Sequence, residues 1–113
     1  MITASCHCGA VRFEIADAPA NVTSCNCSIC RRTGALWAYY RPDQVKLLHA
    51  TGATAAYIWG DRMLALHHCR TCGCTTHWTD IREPPDDRMG VNARLMEIDL
   101  APIPVRLNDG AAY

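Results

Sequence analysis

CRTCGC, residues 69–74, places three cysteines within six positions of one short segment. Cys69 and Cys72 are separated by two residues, a spacing at which both thiolates can bind one metal ion, and Gly73 allows a tight backbone turn behind them. Such a pair supplies half of a tetrahedral zinc site. Because the other half must come from elsewhere in the chain, this segment predicts a fold that is closed by a metal ion.

CHCG, residues 6–9, is the segment that best completes this site. On an extended strand, Cys6 and Cys8 would leave the backbone on the same face, and Gly9 would let the chain bend around a shared ion. We therefore predict a structural zinc held by four cysteines, which would cross-link the N-terminal strand to a distant hairpin and support a small core. The four predicted ligands are Cys6, Cys8, Cys69 and Cys72.

CNCSIC, residues 25–30, contains the remaining compact group of cysteines. Cys25, Cys27 and Cys30 provide three ligands, and three protein ligands with an open fourth position are typical of a catalytic zinc. The role of the eighth cysteine, Cys74, is left open by the sequence. It would supply a fourth ligand to Cys25, Cys27 and Cys30 if it reached them, whereas on an extended strand beyond Cys72 it would lie near the first zinc. The ligand count favours the open site, so we expect two zinc ions per chain.

The overall composition narrows the class of protein. Eight cysteines in 113 residues, with no signal-peptide pattern at the start, favour metal binding in the cytoplasm, although disulfides and an iron–sulfur cluster remain alternatives. Eleven basic and eleven acidic residues give no broad positive field for nucleic acid. No apolar run approaches the roughly 20 residues that cross a membrane. The length predicts a single domain over residues 1–113.

Short alternating or apolar segments between turn residues predict a mostly β fold. In AVRFEI, residues 10–15, apolar Phe13 and Ile15 alternate with polar Arg12 and Glu14, as on a strand with one face in the core. We expect one or two helical turns only in SICRRTG, residues 28–34, where Ser28 could cap the helix and Gly34 could end it. A surface loop is expected over REPPDDRMG, residues 82–90. The predicted strands are 10–15, 35–40, 45–50, 55–60, 63–68, 75–80 and 89–95.

Several side chains near the cysteines are candidates for binding substrate. Arg31 and Arg32 directly follow the trio and can pair with substrate carboxylates, although a solvated helix end explains them equally well. Trp37 can wall a pocket beside the metal, but such aromatic residues are more often part of the core. The histidines His67, His68 and His77 are expected to be hydrogen-bonded strand residues rather than catalytic groups.

Four segments together resemble the glutathione-dependent formaldehyde-activating enzyme family, also called the Gfa or CENP-V-type family. They are CHCGAVRFEI at 6–15, CNCSICRRTGAL at 25–36, HCRTCGCTTHW at 68–78 and GVNARLMEID at 90–99. The resemblance implies a β-tent fold of small antiparallel sheets. It also implies a structural zinc on the first and last motifs and a catalytic zinc on the middle one. Asn26 departs from the family pattern, which commonly has histidine there.

The resemblance implies a zinc-dependent carbon–sulfur lyase or synthase. Its substrate would be a thiol–aldehyde adduct such as S-hydroxymethylglutathione, and its partners a small thiol such as glutathione and a small aldehyde. A homodimer would be one way for so short a chain to enclose a substrate. Two other hypotheses stay open, because a fold does not fix a function: a noncatalytic zinc-binding interaction module, and a thiol redox or metal-handling protein.

Overall fold

The computed structural model describes residues 1–110 and consists mainly of short strands. Within this range no helix is long and apolar enough to span a membrane. Two 3-10 helices cover Pro42–Gln44 and Ala93–Leu95. The other elements are β1 (Ile2–Ser5), β2 (Arg12–Ile15), β3 (Val22–Cys25), α1 (Cys30–Thr33), β4 (Trp37–Tyr40), β5 (Val45–Leu47), β6 (Thr54–Tyr57), β7 (Leu64–Cys69), β8 (Thr75–Asp80), β9 (Met89–Asn92) and β10 (Val105–Asn108).

The strands form two sheets. A three-stranded antiparallel sheet has the order β1-β2-β5, and a seven-stranded sheet has the order β10-β3-β4-β9-β8-β7-β6. All pairings in the larger sheet are antiparallel except that of β10 with β3, which is parallel. The mostly β prediction is confirmed, with the difference that the larger sheet is mixed.

The hydrophobic core contains residues from both sheets. Phe13 and Ile15 of β2 are fully buried, as are Ala38 of β4 and Val91 of β9. The alternation predicted for AVRFEI is therefore present, since Arg12 between buried neighbours is exposed. An edge-on contact between the rings of Phe13 and His77, with centroids 5.2 Å apart, joins the two sheets directly.

The short helix lies where the sequence predicts it, but its N-terminus is different. It ends at Gly34, whose φ of 70° is favourable for glycine. Ser28 does not cap it, because the helix begins at Cys30 and no side-chain cap is formed at Ile29. The backbone N–H of Cys30 instead points at the sulfur of Cys27, 3.4 Å away. The sulfur of Cys27 thus accepts an N–H at the helix start, where a serine hydroxyl was expected.

The prediction that CHCG lies on an extended strand is wrong. Strand β1 ends at Ser5, and the next residues form a turn in which the N–H of Gly9 donates to the carbonyl of Cys6 at 3.2 Å. Gly9 has a φ of 83°, a region that residues with a side chain rarely adopt. The turn, rather than the alternation of a strand, brings Cys6 and Cys8 together.

Two stacked histidines, His77 buried and His67 half-buried, lie on neighbouring strands of the larger sheet. His77 on β8 stacks on His67 of β7 with ring centroids 4.3 Å apart, and Thr76 Oγ1 lies 2.9 Å from its Nδ1. His67 lies 3.2 Å from the hydroxyl oxygens of Thr54 and Thr79, as expected for a satisfied strand residue. Burial, together with the neighbouring imidazoles of His67 and His49, lowers the pKa of His77 to about 3.

This shift predicts a loss of stability in acid. The folded protein resists protonation of His77, while the unfolded chain accepts the proton near its ordinary pKa of about 6.5. The contribution of neutral His77 to the free energy of unfolding is therefore complete above about pH 6.5 and declines as the pH falls toward 3. In His77→Gln, the free energy of unfolding should depend less on pH, by up to about 1.4 kcal/mol per pH unit.

Urea denaturation of the metal-loaded protein at pH 7.5, 6.5 and 5.5 measures this slope. Acid loss of metal affects wild type and variant alike, so the difference between their slopes reports His77. The exposed His68, changed in the same way, is the control and should keep the wild-type slope. Equal slopes for His77→Gln and wild type would contradict the prediction.

Candidate metal centres and the adjoining cavity

The first cysteine cluster joins the two sheets. Cys6 and Cys8 come from the turn after β1, Cys69 ends β7, and Cys72 lies in the turn to β8. Their four sulfur atoms lie within 4.8 Å of one another. The Sγ atoms of Cys6 and Cys8 are 3.7 Å apart, and those of Cys8 and Cys69 are 3.6 Å apart. Sulfurs at the corners of a tetrahedron around zinc would be separated by about 3.8 Å, so the spacing fits this ion.

Backbone amides surround these sulfurs. Val11 points its N–H at Cys6 Sγ at 3.3 Å, and Thr71 and Cys72 point theirs at Cys69 Sγ at 3.4 and 3.5 Å. The amides of Cys74 and Cys8 lower the pKa of Cys72 to about 5. Such N–H groups stabilise thiolate, the form that binds a metal. The N–H groups thus favour the thiolate at Cys69 and Cys72. At Cys8 the N–H of Ala10 is outweighed by burial and by the neighbouring thiols of Cys69, Cys6 and Cys72, which raise the pKa to about 11.

Cys74 lies beside this first cluster. Its carbonyl accepts the N–H of Cys69 at 2.9 Å, and its thiol interacts with those of Cys72 and Cys6. It is not among the cysteines of the second cluster. Cys74 thus lies near the first cluster, as one of the two alternatives predicted, but a turn with Gly73 at a φ of 81° brings it there rather than an extended strand, since β8 begins at Thr75. The second cluster is left with three cysteines.

The second cluster consists of Cys25, Cys27 and Cys30, which we call the trio. Cys25 ends β3, Cys30 begins α1, and Cys27 lies in the turn between them. The three sulfurs lie within 4.8 Å of one another. Cys27 points its N–H at Cys25 Sγ at 3.5 Å. Two clusters in the described residues can therefore hold metal ions, and one of them has three protein ligands.

Two side chains donate hydrogen bonds to the trio. Trp37 donates its indole N–H to Cys30 Sγ at 3.4 Å, and Asn108 donates from Nδ2 to Cys25 Sγ at 3.3 Å. Donors of this kind orient sulfur ligands and moderate their charge. Trp37 thus lies beside the predicted metal site, and it is also part of a buried core cluster with 3% of its surface exposed, the role that the sequence favoured. Asn108 was missed because it lies on β10, far along the chain.

Burial and hydrogen bonds shift the pKa values of Cys27 and Cys30 in opposite directions. Burial raises the pKa of Cys27, but hydrogen bonds from the N–H of Cys30, the thiols of Cys30 and Cys25 and the N–H of Ile29 outweigh this and bring the pKa below its ordinary value. Burial also raises the pKa of Cys30, to about 12, although the indole of Trp37 opposes it. A buried thiolate needs a compensating positive charge, which a bound cation supplies. The donor set of the trio therefore fits a zinc ion.

A cavity of about 420 Å³ opens beside the trio. The three cysteines form part of its wall, so a ligand in the cavity would lie beside the trio. The walls are otherwise mainly aromatic and aliphatic. The lining residues include Cys25, Cys27, Cys30, Trp37, Tyr39, Trp59, Asp61, Met63, Leu64, Leu66, Trp78, Arg88, Asn108 and Gly110.

The two arginines after the trio do not line this cavity. Arg31 and Arg32 are exposed, and Arg32 donates to the carbonyl of Ser28 at 2.7 Å, as at a solvated helix end. Arg88 lines the cavity instead, and its guanidinium carbon lies 4.2 Å from the centre of the Tyr39 ring. Sequence reasoning missed Arg88 because it belongs to the segment that was assigned to a surface loop.

Asn26 holds the chain after β10 against the trio. Its Oδ1 accepts the N–H of Gly110 at 2.6 Å, and its Nδ2 donates to Asp109 at 3.1 Å. A Cβ on Gly110 would lie 3.2 Å from Cys25 Sγ and 3.1 Å from Cys27 Cβ, so the backbone approaches the sulfurs closely. The residue that departs from the family pattern therefore has a structural role.

Comparison with known proteins agrees with this arrangement. The sequence model of the glutathione-dependent formaldehyde-activating enzyme family matches residues 1–104. A crystal structure of a protein from Rhodobacter sphaeroides, a structural genomics target, is similar to this chain with 32% sequence identity and a TM-score of 0.75. The similarity covers 92% of this chain and 99% of that one.

The different surroundings of Cys72 and Cys74 give a matched pair of variants. Cys72→Ser should remove one metal ion per chain and lower the free energy of unfolding by several kcal/mol, because a structural metal contributes directly to folding. Cys74→Ser should retain the wild-type metal content and lose about 1 kcal/mol or less. Elemental analysis and urea denaturation measure both effects. Equal metal loss in the two variants would contradict the assignment.

Hydrogen exchange can test whether the two side-chain hydrogen bonds of Asn26 hold the segment after β10 in place. Asn26→Ala removes both side-chain hydrogen bonds to the segment after β10, so the amides of residues 106–110 should exchange at least about tenfold faster. Mass spectrometry of peptic fragments measures the rate. Asn21→Ala, at an exposed position before β3, should leave it unchanged. Unchanged exchange in Asn26→Ala would show that these hydrogen bonds do not hold this segment.

Proposed function

The chain belongs to the glutathione-dependent formaldehyde-activating enzyme family, and from this premise we propose that it adds a thiol to an aldehyde, or reverses that addition, at the trio. In the addition, the thiol sulfur gives an electron pair to the carbonyl carbon and the carbon–sulfur bond forms. The π pair of the carbonyl moves to oxygen, which gains the proton that the thiol loses. The reverse reaction is the lyase reaction, and neither direction needs an oxidant or a reductant.

One observation carries this proposal: three sulfur ligands meet at the wall of a cavity large enough for a substrate. Catalytic zinc sites typically have three protein ligands, whereas structural sites have four. A zinc ion held by the trio would supply Lewis acidity at the cavity wall and would favour the thiolate form of a thiol bound there. The first cluster, with four ligands, suits a structural zinc.

The residues around the trio hold its sulfurs in place and form the walls of the cavity. Trp37 and Asn108 fix two of the sulfurs by hydrogen bonds, and this keeps the ligand geometry constant during the reaction. The aromatic walls exclude water, which strengthens electrostatic interactions inside the cavity. Asp61 and Arg88 add two charged side chains to these walls. The family name points to glutathione as the thiol, and eight thiols suit the reducing cytoplasm.

The central test is Cys27→Ser. We expect the rate of thiol–aldehyde addition, above the uncatalysed rate, to fall at least about 100-fold, because the site loses one of its three ligands. Formaldehyde with glutathione is the reaction to follow, by NMR exchange between free and bound formaldehyde. The free energy of unfolding should stay close to that of wild type, since the first cluster is intact.

Cys74→Ser is the matched control, because it makes the same chemical change outside the trio, and it should retain the wild-type rate. The alternatives predict other results. A noncatalytic binding module would show no rate above background in wild type, and a redox protein would form disulfides within the trio under mild oxidation without accelerating the addition. A wild-type rate in Cys27→Ser would refute the proposed function.

A further inference from the structure

All three tryptophans of the chain line the cavity beside the trio. From this concentration of aromatic surface we propose that the aldehyde part of the substrate is aromatic or bulky and apolar, so that the preferred adduct carries such a group on the carbon next to sulfur. The inference rests on the proposed function for the reaction, and it adds the class of aldehyde. The aromatic lining residues are Trp37, Trp59, Trp78 and Tyr39. Trp59 and Tyr39 are half-buried, whereas Trp37 and Trp78 are 3% and 9% exposed and contribute only small parts of their rings to the wall.

The apolar wall extends over adjacent strands of the larger sheet. Tyr39 on β4 packs against Trp78 on β8 with ring centroids 6.0 Å apart, and Leu64 and Leu66 follow on β7. Met63 and Leu64 are each 37% exposed. Apolar side chains collected around an open cavity mark a binding surface, because a ligand that covers them removes apolar area from water.

A glycine on β9 makes room for Trp78 in this wall. Gly90 on β9 pairs with Trp78 on β8, and a Cβ at Gly90 would overlap the indole ring. The indole therefore occupies the space that a side chain on residue 90 would fill. Trp78 is 9% exposed and is one of the residues that line the cavity. Its position in the wall is thus fixed by close packing against β9.

The charges of the cavity do not match a wholly polar ligand. Glutathione carries two carboxylates and an ammonium group, whereas the charged lining residues are Asp61 and Arg88. Arg88 lies over the Tyr39 ring at the edge of the aromatic surface, and Arg31 and Arg32 lie outside the cavity. The tripeptide part of an adduct is therefore expected to contact the rim, and the apolar wall is left for the aldehyde part.

Formaldehyde is too small to cover this apolar wall from the trio. Its adduct adds only a CH₂OH group to the sulfur, and a group of that size at the trio does not extend across a cavity of about 420 Å³. An aromatic aldehyde places a planar ring on the carbon that becomes bonded to sulfur. With the sulfur at the trio, that ring would extend into the cavity, whose lining is mainly aromatic and aliphatic.

Two stable thioethers test the preference without turnover. S-benzylglutathione and S-methylglutathione share the same tripeptide and differ only in the group on sulfur. Calorimetric titration of the metal-loaded wild-type protein should show at least about tenfold tighter binding of the benzyl compound. Equal affinities, tighter binding of the methyl compound, or no binding of either at millimolar concentration would overturn the inference.

Filling the cavity supplies a second test. Leu66→Trp places a large side chain in the apolar wall and should weaken binding of S-benzylglutathione at least about tenfold, with little change for S-methylglutathione. Leu47→Trp, on β5 outside the cavity, is the control and should keep both affinities. If Leu66→Trp does not fold, Met63→Trp fills the same cavity from a half-exposed position. Unchanged benzyl affinity in a folded filling variant would overturn the inference.

Turnover separates this inference from the proposed function. With glutathione as the common thiol, kcat/KM for benzaldehyde should exceed that for formaldehyde. Catalysis of formaldehyde addition with no preference in binding or turnover would overturn the aldehyde class and leave the proposed function standing. A benzyl preference in binding, with no accelerated addition of any aldehyde, would overturn the proposed function and leave the cavity preference standing.

Discussion

Four sulfur atoms near contact distance, two from each of two turns, are the constraint on which the rest of this structure depends. Cys8 and Cys69 are 61 residues apart in sequence, yet their sulfurs are separated by 3.6 Å. Thiolates this close repel one another, and backbone amides reduce that repulsion only in part. A bound cation would compensate the remaining negative charge. The first turn belongs to the three-stranded sheet and the second to the seven-stranded sheet. One metal ion at this point would hold both sheets against their shared core.

The cysteine spacing and the strand alternation account for what the sequence could predict. Pairs two and three positions apart are local patterns that chelation requires, so both clusters could be identified without a structure. Alternation likewise predicted that Phe13 and Ile15 lie on the core face of β2, where both are buried. The expected strand through Cys6 and Cys8 was wrong because Gly9 adopts a turn that alternation cannot reveal. Ser28 failed as a cap because the sulfur of Cys27 receives the N–H at that position.

The parts that could not be predicted depend on contacts between distant segments. Strand β10 is exposed along its length and pairs in parallel with β3, and no local pattern encodes that partner. Arg88 lines the cavity from a loop that reads as solvent-exposed, and the cavity wall combines strands, turns and a loop from most of the chain. One signal was present in the composition: three tryptophans in a chain with a single phenylalanine. Their common location became visible only in three dimensions.

The parallel pairing of β10 has a consequence for the order in which the site is assembled during synthesis. All eight cysteines lie within the first 74 residues, whereas Asn108 and Gly110 come later in the chain. A ribosome therefore delivers every candidate metal ligand before the segment that closes one side of the trio. The three sulfurs are thus synthesised before Asn108, which donates to Cys25 Sγ, and before Gly110, whose backbone packs closely against Cys25 and Cys27.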